Sequence, residues 1–179
     1  MHADRKEVLR YLRMGNARPE ATLSERIDAV EREVVAAARP LACSEIIPAD
    51  ELGFASSDLR RILAGCDRAC LLAATLGAGV DALLRRRAAA SAVDALIAQA
   101  VATTLIESHL DDCEERLRRD TGARGLAPRF SPGYGDLPLA AGRAILERLD
   151  ATRKIGVALT DTLLMVPSKS VTAIIGIKT

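Results

Sequence analysis

Apolar positions recur at helical spacing over the first part of the chain. From Asp4 to Met14 they predict a short amphipathic helix, and from about Ser24 to Arg39 a second helix with Ser24 as its N-cap. Gly15-Asn16 and Arg18-Pro19 predict a break between the two helices. We therefore expect residues 1–40 to form a helical N-terminal segment.

The middle of the chain mixes strand and helix patterns. Glu45 to Ile47 predicts a short strand, and Ser57 to Ala64 predicts a short capped helix. Asp67 to Leu76 is an apolar run between turn signals, which is typical of a buried strand. A long helical region follows from Val80 to about Arg119, and we expect a bend in it near Ala88 to Ser91.

The last third of the chain predicts a loop, a helix and a β-hairpin in that order. Thr121 to Asp136 is rich in Gly and Pro and predicts a loop, and Pro138 to Asp150 predicts a helix with proline in its first turn. The inward positions of that helix are expected to be Leu139, Ile145 and Leu149. Val157 to Val166 and Val171 to Ile177 are β-prone runs on either side of Pro167 to Ser170, which indicates an antiparallel hairpin.

Together these elements predict an α+β fold. Long helices are expected to pack on a small mixed or antiparallel sheet, with a C-terminal β-hairpin. We expect residues 1–179 to form a single domain, because neither the length nor the pattern indicates a second one.

Composition excludes several classes of function. Lys and Arg number 25 and Asp and Glu number 24, so the chain has no electrostatic footprint for nucleic acid or an anionic membrane. Aromatic residues are only 2% of the chain, too few for a base-stacking surface. Uncharged stretches are too short to span a bilayer, and the first residues are charged where a signal peptide needs an apolar run. We therefore expect a cytoplasmic protein.

The residue types that most often carry catalysis or bind metals are scarce. The chain has four cysteines and two histidines, and one of the histidines is His2. The cysteines form no CxxC pair, so we expect neither a zinc site nor a disulfide framework and interpret the thiols as small core residues. They are Cys43, Cys66, Cys70 and Cys113. We also expect no catalytic residue, since two histidines leave little room for acid–base chemistry.

One short motif matches a dinucleotide-binding fingerprint in form. Gly77 to Ala82 has the pattern GxGxxA and follows a predicted strand. That fingerprint needs a second strand ending in an acidic residue about 20 residues later, whereas Ala95 to Ala102 lies in a predicted helix. We therefore interpret these glycines as a tight strand-to-helix turn.

Glu107 stands where one face of the long predicted helix changes from apolar to polar. At helical spacing, this face carries Val93, Leu96 and Ala100 before it and Asp111, Glu114 and Arg118 after it. Two interpretations stay open: the carboxylate meets a cationic ligand group in a cleft, or it forms an ordinary ion pair with an arginine. The pairs Asp111-Asp112 and Glu114-Glu115 are interpreted as solvated surface.

The loop from Arg129 to Asp136 is the densest in polar and turn-forming residues. Pro132 and Gly133 suit the central positions of a type II turn. Beside that turn, Arg129 offers a planar fork for a carboxylate and Tyr134 an amphipathic ring. Composition alone does not separate a binding loop from a connecting loop with a surface salt bridge.

These motifs carry a family resemblance. RFSPGYGDLPL, from Arg129 to Leu139, resembles the RxxxGY loop of the activation domain of cobalamin-dependent methionine synthase. Ile155 to Gly176 is similar to that domain's closing hairpin, with Met165-Val166-Pro167 as the turn and Ser170-Val171-Thr172 as the strand that follows. Three further segments fit the same pattern: Glu7 to Leu12, Ala74 to Gly77 and Ile106 to Arg119.

The resemblance implies a function. The activation domain docks over the corrinoid and presents S-adenosylmethionine, whose methyl group, with one electron from a flavodoxin- or ferredoxin-type donor, restores inactive cob(II)alamin. By this resemblance the chain is a stand-alone activation subunit, a methyltransferase component with no complete active site of its own. The chain has no DxHxxG sequence. Cobalamin would therefore come from a partner, a methionine synthase polypeptide that lacks this domain.

The resemblance also implies a set of cofactor contacts. Arg129 would bind the carboxylate of S-adenosylmethionine, and Glu107 would stand in the same cleft. The adenosyl part would be held by Ser131, Pro132, Gly133 and Tyr134. No catalytic or metal-binding residue is implied.

Two other functions stay open at this point. The chain ends at Thr179, where the multidomain enzymes continue into a segment with aromatic contacts to the cofactor. The alternative is therefore a docking module that clamps a corrinoid protein and does not bind S-adenosylmethionine by itself. A general small-molecule-binding α+β domain with no link to cobalamin is the third.

Overall fold

The computed structural model describes residues 2–15 and 19–178 and has an α+β fold, as predicted. The predicted break at Asn16 and Arg18 lies outside the described residues. The helices are α1 (Arg5–Tyr11), α2 (Ala21–Ala37), α3 (Ser57–Ile62), α4 (Ala78–Ala90), α5 (Ala92–Thr121), α6 (Ala141–Leu149) and α7 (Ala151–Ile155). The strands are β1 (Leu41–Pro48), β2 (Arg68–Thr75), β3 (Gly125–Leu126), β4 (Ala158–Leu159), β5 (Met165–Val166) and β6 (Ser170–Lys178).

The main sheet is antiparallel and has the strand order β1-β2-β6-β3. Its central strand β2 is buried from Ala69 to Thr75, which confirms the buried strand predicted there. β1 is longer than the predicted Glu45 to Ile47, since it pairs with β2 over its full length from Leu41 to Pro48. Its side chains are mostly exposed, so an apolar pattern marks only part of the strand.

Helices cover both faces of this sheet. Successive strand residues point to opposite faces, and the apolar side chains of β2 and β6 accordingly divide between two clusters. Cys70, Leu72 and Ile175 pack with α1, α2, α4 and α5, whereas Leu71 and Ile174 pack with α3, α6 and α7. A strand buried on both faces reads as a continuous apolar run, which is why β2 was recognisable from its sequence.

The predicted bend in the long helical region is a complete break between α4 and α5. Ser91 has an extended backbone, with φ −158°, and its Oγ accepts a hydrogen bond of 3.2 Å from the N–H of Asp94. Ser91 is therefore the N-cap of α5, and a serine in this role starts the new helix.

Two predictions about helix ends are wrong. Ser24 does not cap α2, which begins at Ala21; instead its carbonyl and its Oγ accept hydrogen bonds from Arg5 of 3.4 and 3.2 Å. Leu139 does not face inward and is 46% exposed, because α6 begins only at Ala141. Ile145 and Leu149 are buried as predicted.

The C-terminal hairpin is present, but it lies earlier in the chain than expected. Its strands β4 and β5 both belong to the run from Val157 to Val166, and the N–H of Thr160 donates to the carbonyl of Leu164 across the turn (2.9 Å). β6 does not pair with this run and enters the main sheet between β2 and β3. The predicted turn segment is therefore a connection between two sheets, formed by residues 167–169, and Ser170 is the first residue of β6.

The glycines after β2 serve backbone packing. Gly77 has φ +82°, a conformation that side chains disfavour. A Cβ on Gly79 would lie 2.5 Å from the carbonyl oxygen of Ala37, so α4 approaches the end of α2 at this point. Both neighbours of β2 run antiparallel to it, which excludes the dinucleotide-binding unit and leaves the strand-to-helix turn as the correct interpretation.

Two of the four thiols are core residues as interpreted, since Cys70 and Cys113 are buried. Cys43 and Cys66 are half-buried, and all four thiols are free. In the part of the chain that the structure describes, no helix has the length and apolar character needed to cross a bilayer.

We expect Gly79→Ala to lower the free energy of unfolding. Helix propensity alone favours alanine by about 1 kcal/mol. The added Cβ would however meet the Ala37 carbonyl, which belongs to the backbone, and such overpacking costs about 1–3 kcal/mol. Urea unfolding measures the change. Gly125→Ala is the matched control, because its added Cβ has no neighbour within 4 Å; equal effects of the two substitutions would contradict the contact.

Candidate ligand-binding site

The loop between β3 and α6 contains the turn that the sequence predicts. The N–H of Tyr134 donates to the carbonyl of Ser131 (3.2 Å), and Gly133, with φ +91°, occupies the position of a type II turn that needs positive φ. The N–H of Gly133 also donates to the carbonyl of Leu137 (2.8 Å), so the loop closes on itself. A closed loop holds its backbone and side chains in one arrangement.

Asp136 attaches the end of this loop to the start of α3. Its carboxylate accepts hydrogen bonds from Ser56 Oγ, from the N–H of Ser57 (2.7 Å) and from the N–H of Asp58 (3.2 Å). The hydroxyl of Ser56, followed by the donors of Ser57, holds the pKa of Asp136 well below its ordinary value. A carboxylate at a helix N-terminus is favourable because the free N–H groups there point toward it.

Phe130 attaches the start of the loop to β6. Its N–H donates to the carbonyl of Ile174 (3.0 Å), and its own carbonyl accepts from the N–H of Ile174 (2.8 Å). This isolated pair brings the preceding residue, Arg129, against the middle of α5.

Arg129 contacts three carboxylates on one face of α5. Its Nη1 lies 2.8 Å from Asp111 Oδ1 and 2.9 Å from Glu114 Oε1, and its Nη2 lies 3.2 Å from Glu107 Oε2. We call these four residues the arginine cluster. Spacings of four and seven residues place the three carboxylates on the same helix face. The structure therefore pairs Glu107 with Arg129, the second of the two interpretations left open above.

The arginine cluster is negative overall, since three carboxylates face one guanidinium. Burial raises the pKa of Glu114 above its ordinary value, against the opposing effect of Arg129. The interpretation of the acidic pairs as solvated surface holds for Asp111, which binds Arg129 but is 68% exposed, and is wrong for Glu114, which is half-buried beside Arg129. Of the apolar residues that precede Glu107 on this face, Val93 and Leu96 are exposed and Ala100 is buried.

A cavity of about 360 Å³ lies between this loop, α5 and β6. Five of the six residues predicted for the site line it: Glu107, Arg129, Ser131, Pro132 and Tyr134. Gly133 is the exception. It holds the turn through its positive φ, and an added Cβ would lie 3.3 Å from Leu139 Cδ1.

Sequence reasoning did not assign the remaining residues that line this cavity to the site. They are Leu110, Phe130, Met165, Ser170, Val171 and Thr172. The acidic partners of Arg129 had a usable signal, because they follow Glu107 at helical spacing. The β5 and β6 residues had none, since their approach depends on the strand order of the sheet rather than on sequence spacing.

A second groove adjoins the cavity at Glu107. It lies between α1 and α5, has a volume of about 630 Å³, and is lined by Asp4 and Arg5 among others. Within the described residues, no group of three or more His, Cys, Asp or Glu side chains is placed to hold a metal ion.

We expect Asp136→Asn to destabilise the protein at pH 7, because the amide lacks the charge that its donors on α3 stabilise. The fold lowers the pKa of Asp136 from an ordinary value of about 3.9. The free energy of unfolding of the wild type therefore exceeds that of Asp136→Asn by the full difference above that pH, and this difference shrinks as the pH falls below it. Urea unfolding at pH 7, 5 and 3 measures it, with the exposed Asp161→Asn as control. A difference that grew on acidification would contradict this assignment.

Comparisons with known proteins find likeness in structure and not in sequence. No protein-family model matches the chain, and no curated protein matches it either. Among solved structures, the chain is similar to a crystal structure of the methionine synthase (MetH) reactivation domain bound to S-adenosylhomocysteine. The TM-score is 0.73 at 18% identity, and the match covers 98% of this chain and 74% of that one. The fold of this chain is thus the fold of the methionine synthase reactivation domain, as its loop, helix and hairpin motifs predict.

Proposed function

We propose that this chain binds S-adenosylmethionine in the cavity beneath the Arg129–Tyr134 loop and serves as an activation subunit for a cobalamin-dependent methionine synthase. The observation that carries the proposal is the position of Arg129. Its guanidinium lines a cavity beside three carboxylates, in a fold that a domain bound to S-adenosylhomocysteine shares.

The charges of the arginine cluster complement those of the ligand. S-adenosylmethionine carries a carboxylate together with two positive groups, an ammonium and a sulfonium. A guanidinium binds a carboxylate through two parallel hydrogen bonds, and the surplus carboxylates of the cluster favour the positive groups. Glu107 suits the second task, because it lines the cavity and makes the longest of the three contacts to Arg129 (3.2 Å).

The rest of the cavity suits the adenosyl part. Pro132, Met165 and Leu110 supply apolar surface, and Ser131 supplies loop backbone beside them. Tyr134 lies at the opening with 67% of its surface exposed, so its ring is free to cover a bound ligand. The volume of about 360 Å³ lies within the range of small-molecule sites, roughly 300–1,000 Å³.

The role of the protein in this proposal is positioning. S-adenosylmethionine supplies the methyl group when bound, and a flavodoxin- or ferredoxin-type donor supplies the electron. Cobalamin belongs to the partner, a methionine synthase polypeptide without this domain, and we place both proteins in the cytoplasm. The chain's own residues hold the ligand by its carboxylate and its adenosyl part and leave the methyl group on the sulfonium between them accessible, which lowers the entropic cost of reaction.

Exposed apolar side chains near the cavity support a docking role. Tyr134 and Leu139 belong to the loop and its exit, and Leu164 and Val166 belong to the β4–β5 hairpin, whose Met165 lines the cavity. Exposed apolar side chains grouped around a cavity mark interaction surfaces more often than scattered ones do. We infer that this rim contacts the corrinoid protein.

A second function has one observation in its favour. Arg129 already makes hydrogen bonds to three carboxylates, so a ligand carboxylate must replace at least one of them. A docking module that clamps a corrinoid protein and binds no S-adenosylmethionine by itself is consistent with this satisfied arginine.

Calorimetric titration of the purified protein with S-adenosylmethionine separates the two functions. We expect saturable binding to the wild type and about 10–100-fold weaker binding to Arg129→Lys, because lysine keeps the charge and loses the planar fork. Arg118→Lys is the matched control, since Arg118 pairs with Glu115 on the same helix and is exposed. Equal affinity of wild type and Arg129→Lys would refute the site. No binding by the wild type, together with copurification with a corrinoid protein, would select the docking module.

We also expect Asp111→Asn to tighten the binding of S-adenosylmethionine by about 2–10-fold, because it removes a competitor for Nη1 of Arg129. Asp111 is the most exposed carboxylate of the cluster, so the substitution leaves no charge buried alone. Asp112→Asn is the control, as the neighbouring side chain takes no part in the cluster. Weaker binding to Asp111→Asn would show instead that Asp111 contacts the positive groups of the ligand.

A further inference from the structure

The first strand of the main sheet has an open edge. β1 pairs with β2 on one side only, because it stands at the end of the strand order. The register with β2 continues to Ala49, whose N–H donates to the carbonyl of Asp67 (3.1 Å). Peptide groups alternate in direction along an antiparallel strand, so those of Ala42, Ser44 and Ile46 point away from β2. All three residues are exposed, and no described residue donates to or accepts from these peptide groups.

Prolines stand at both ends of this open edge. Pro40 and Pro48 occupy the next positions of the same alternation, and neither has an N–H to donate. Prolines on an edge strand keep pairing from extending further along it. Each proline is four residues from Ser44, so the open edge is symmetric about this serine. A symmetric edge is complementary to a second copy of itself, whereas a strand from an unrelated protein requires no such symmetry.

Antiparallel pairing of two copies about Ser44 fits the open groups. Ser44 then lies opposite Ser44 of the second copy, and Ala42 lies opposite Ile46 of the second copy. Each open N–H meets a carbonyl, and the prolines of one copy lie opposite those of the other. Shifting the centre by one residue in either direction would place an open carbonyl opposite a proline. A shift to Glu45 would also bring two carboxylates directly opposite each other, which is unfavourable.

The side chains of β1 suit this register on both faces of the sheet. Ala42 and Ile46 line a cavity of about 250 Å³ between β1 and α5, and Ile46 is 41% exposed. In the register about Ser44, the isoleucine of one copy lies beside the alanine of the other, so a large side chain meets a small one at this cavity. On the other face Leu41, which is 48% exposed, lies opposite Ile47 of the second copy. Pairing therefore removes exposed apolar surface from water.

We propose that this protein forms a two-fold symmetric dimer in which β1 pairs antiparallel with β1 of a second copy and joins the two main sheets. A two-fold interface uses the same surface of both copies, as this edge allows. β1 and the Arg129–Tyr134 loop lie at opposite edges of the sheet, so the cavity beneath the loop stays open in both copies. The dimer does not rest on the proposed function, because no residue of that site takes part in it.

Sedimentation velocity of the full chain tests the dimer. We expect the mass of the wild type to rise from 19.1 kDa toward twice that value between about 1 and about 300 µM. Ser44→Pro should stay at the mass of one chain, because it removes the central open N–H and leaves the hydrogen bonds to β2 intact. Ser44→Ala is the matched control, which keeps the N–H and should dimerise like the wild type. A monomeric wild type at about 300 µM, or dimerisation of Ser44→Pro like that of the wild type, would overturn the proposal.

Disulfide trapping tests the register and does not require the proline variant to fold. In the proposed register Cys43 lies opposite Glu45 of the second copy, at a non-hydrogen-bonded pair. The Cα atoms of such a pair are about 4.5 Å apart, within the range of a disulfide.

Glu45→Cys oxidised with diamide, which takes up the two hydrogens of the thiols, should therefore give a covalent dimer on a non-reducing gel. Glu45→Cys combined with Cys43→Ser is the control and should run as a single chain. Equal crosslinking of the two variants, or crosslinking of neither, would overturn the proposal.

Discussion

Two reciprocal hydrogen bonds between Phe130 and Ile174 connect the RxxxGY loop to the central sheet, and the geometry of the site depends on them. They set the distance between the loop and β6, and they bring Arg129 against the face of α5 that carries Glu107. At the other end of the loop, Asp136 binds the first N–H groups of α3. A segment held at both ends by hydrogen bonds keeps the turn at Gly133 in one place relative to the cavity.

The arginine cluster shows how the proposed site for a zwitterionic ligand is compatible with a folded apo state. A half-buried guanidinium without partners would be costly, so α5 supplies three carboxylates to satisfy it. The same carboxylates leave the site with surplus negative charge, which favours a ligand with more positive than negative groups. The three carboxylates thus hold Arg129 in position and also compete with a ligand carboxylate for its N–H groups. Affinity in such a site depends on the free-energy cost of breaking the hydrogen bond between Arg129 and one of these carboxylates.

Local sequence was sufficient for the features that local chemistry determines. The type II turn follows from Pro132-Gly133, the break before α5 from a serine cap at Ser91, and the buried strand β2 from its apolar run. Two errors concern helix ends, at Ser24 and Leu139, and the others concern relations between distant segments. The length of β1 depends on backbone pairing with β2, and the pairing of β5 with β4 rather than with β6 depends on the strand order.

The position of β6 also bears on how the site forms. β6 is the last strand among the described residues, yet it lies inside the sheet between β2 and β3, in register with β2 from Arg68↔Ile177 to Thr75↔Ser170. Contacts between segments so far apart in sequence slow folding, because a long loop must close before they form. One wall of the cavity is absent until this strand is inserted. During synthesis, a ribosome-bound chain could therefore fold its N-terminal helices but would lack this cavity until β6 had left the exit tunnel.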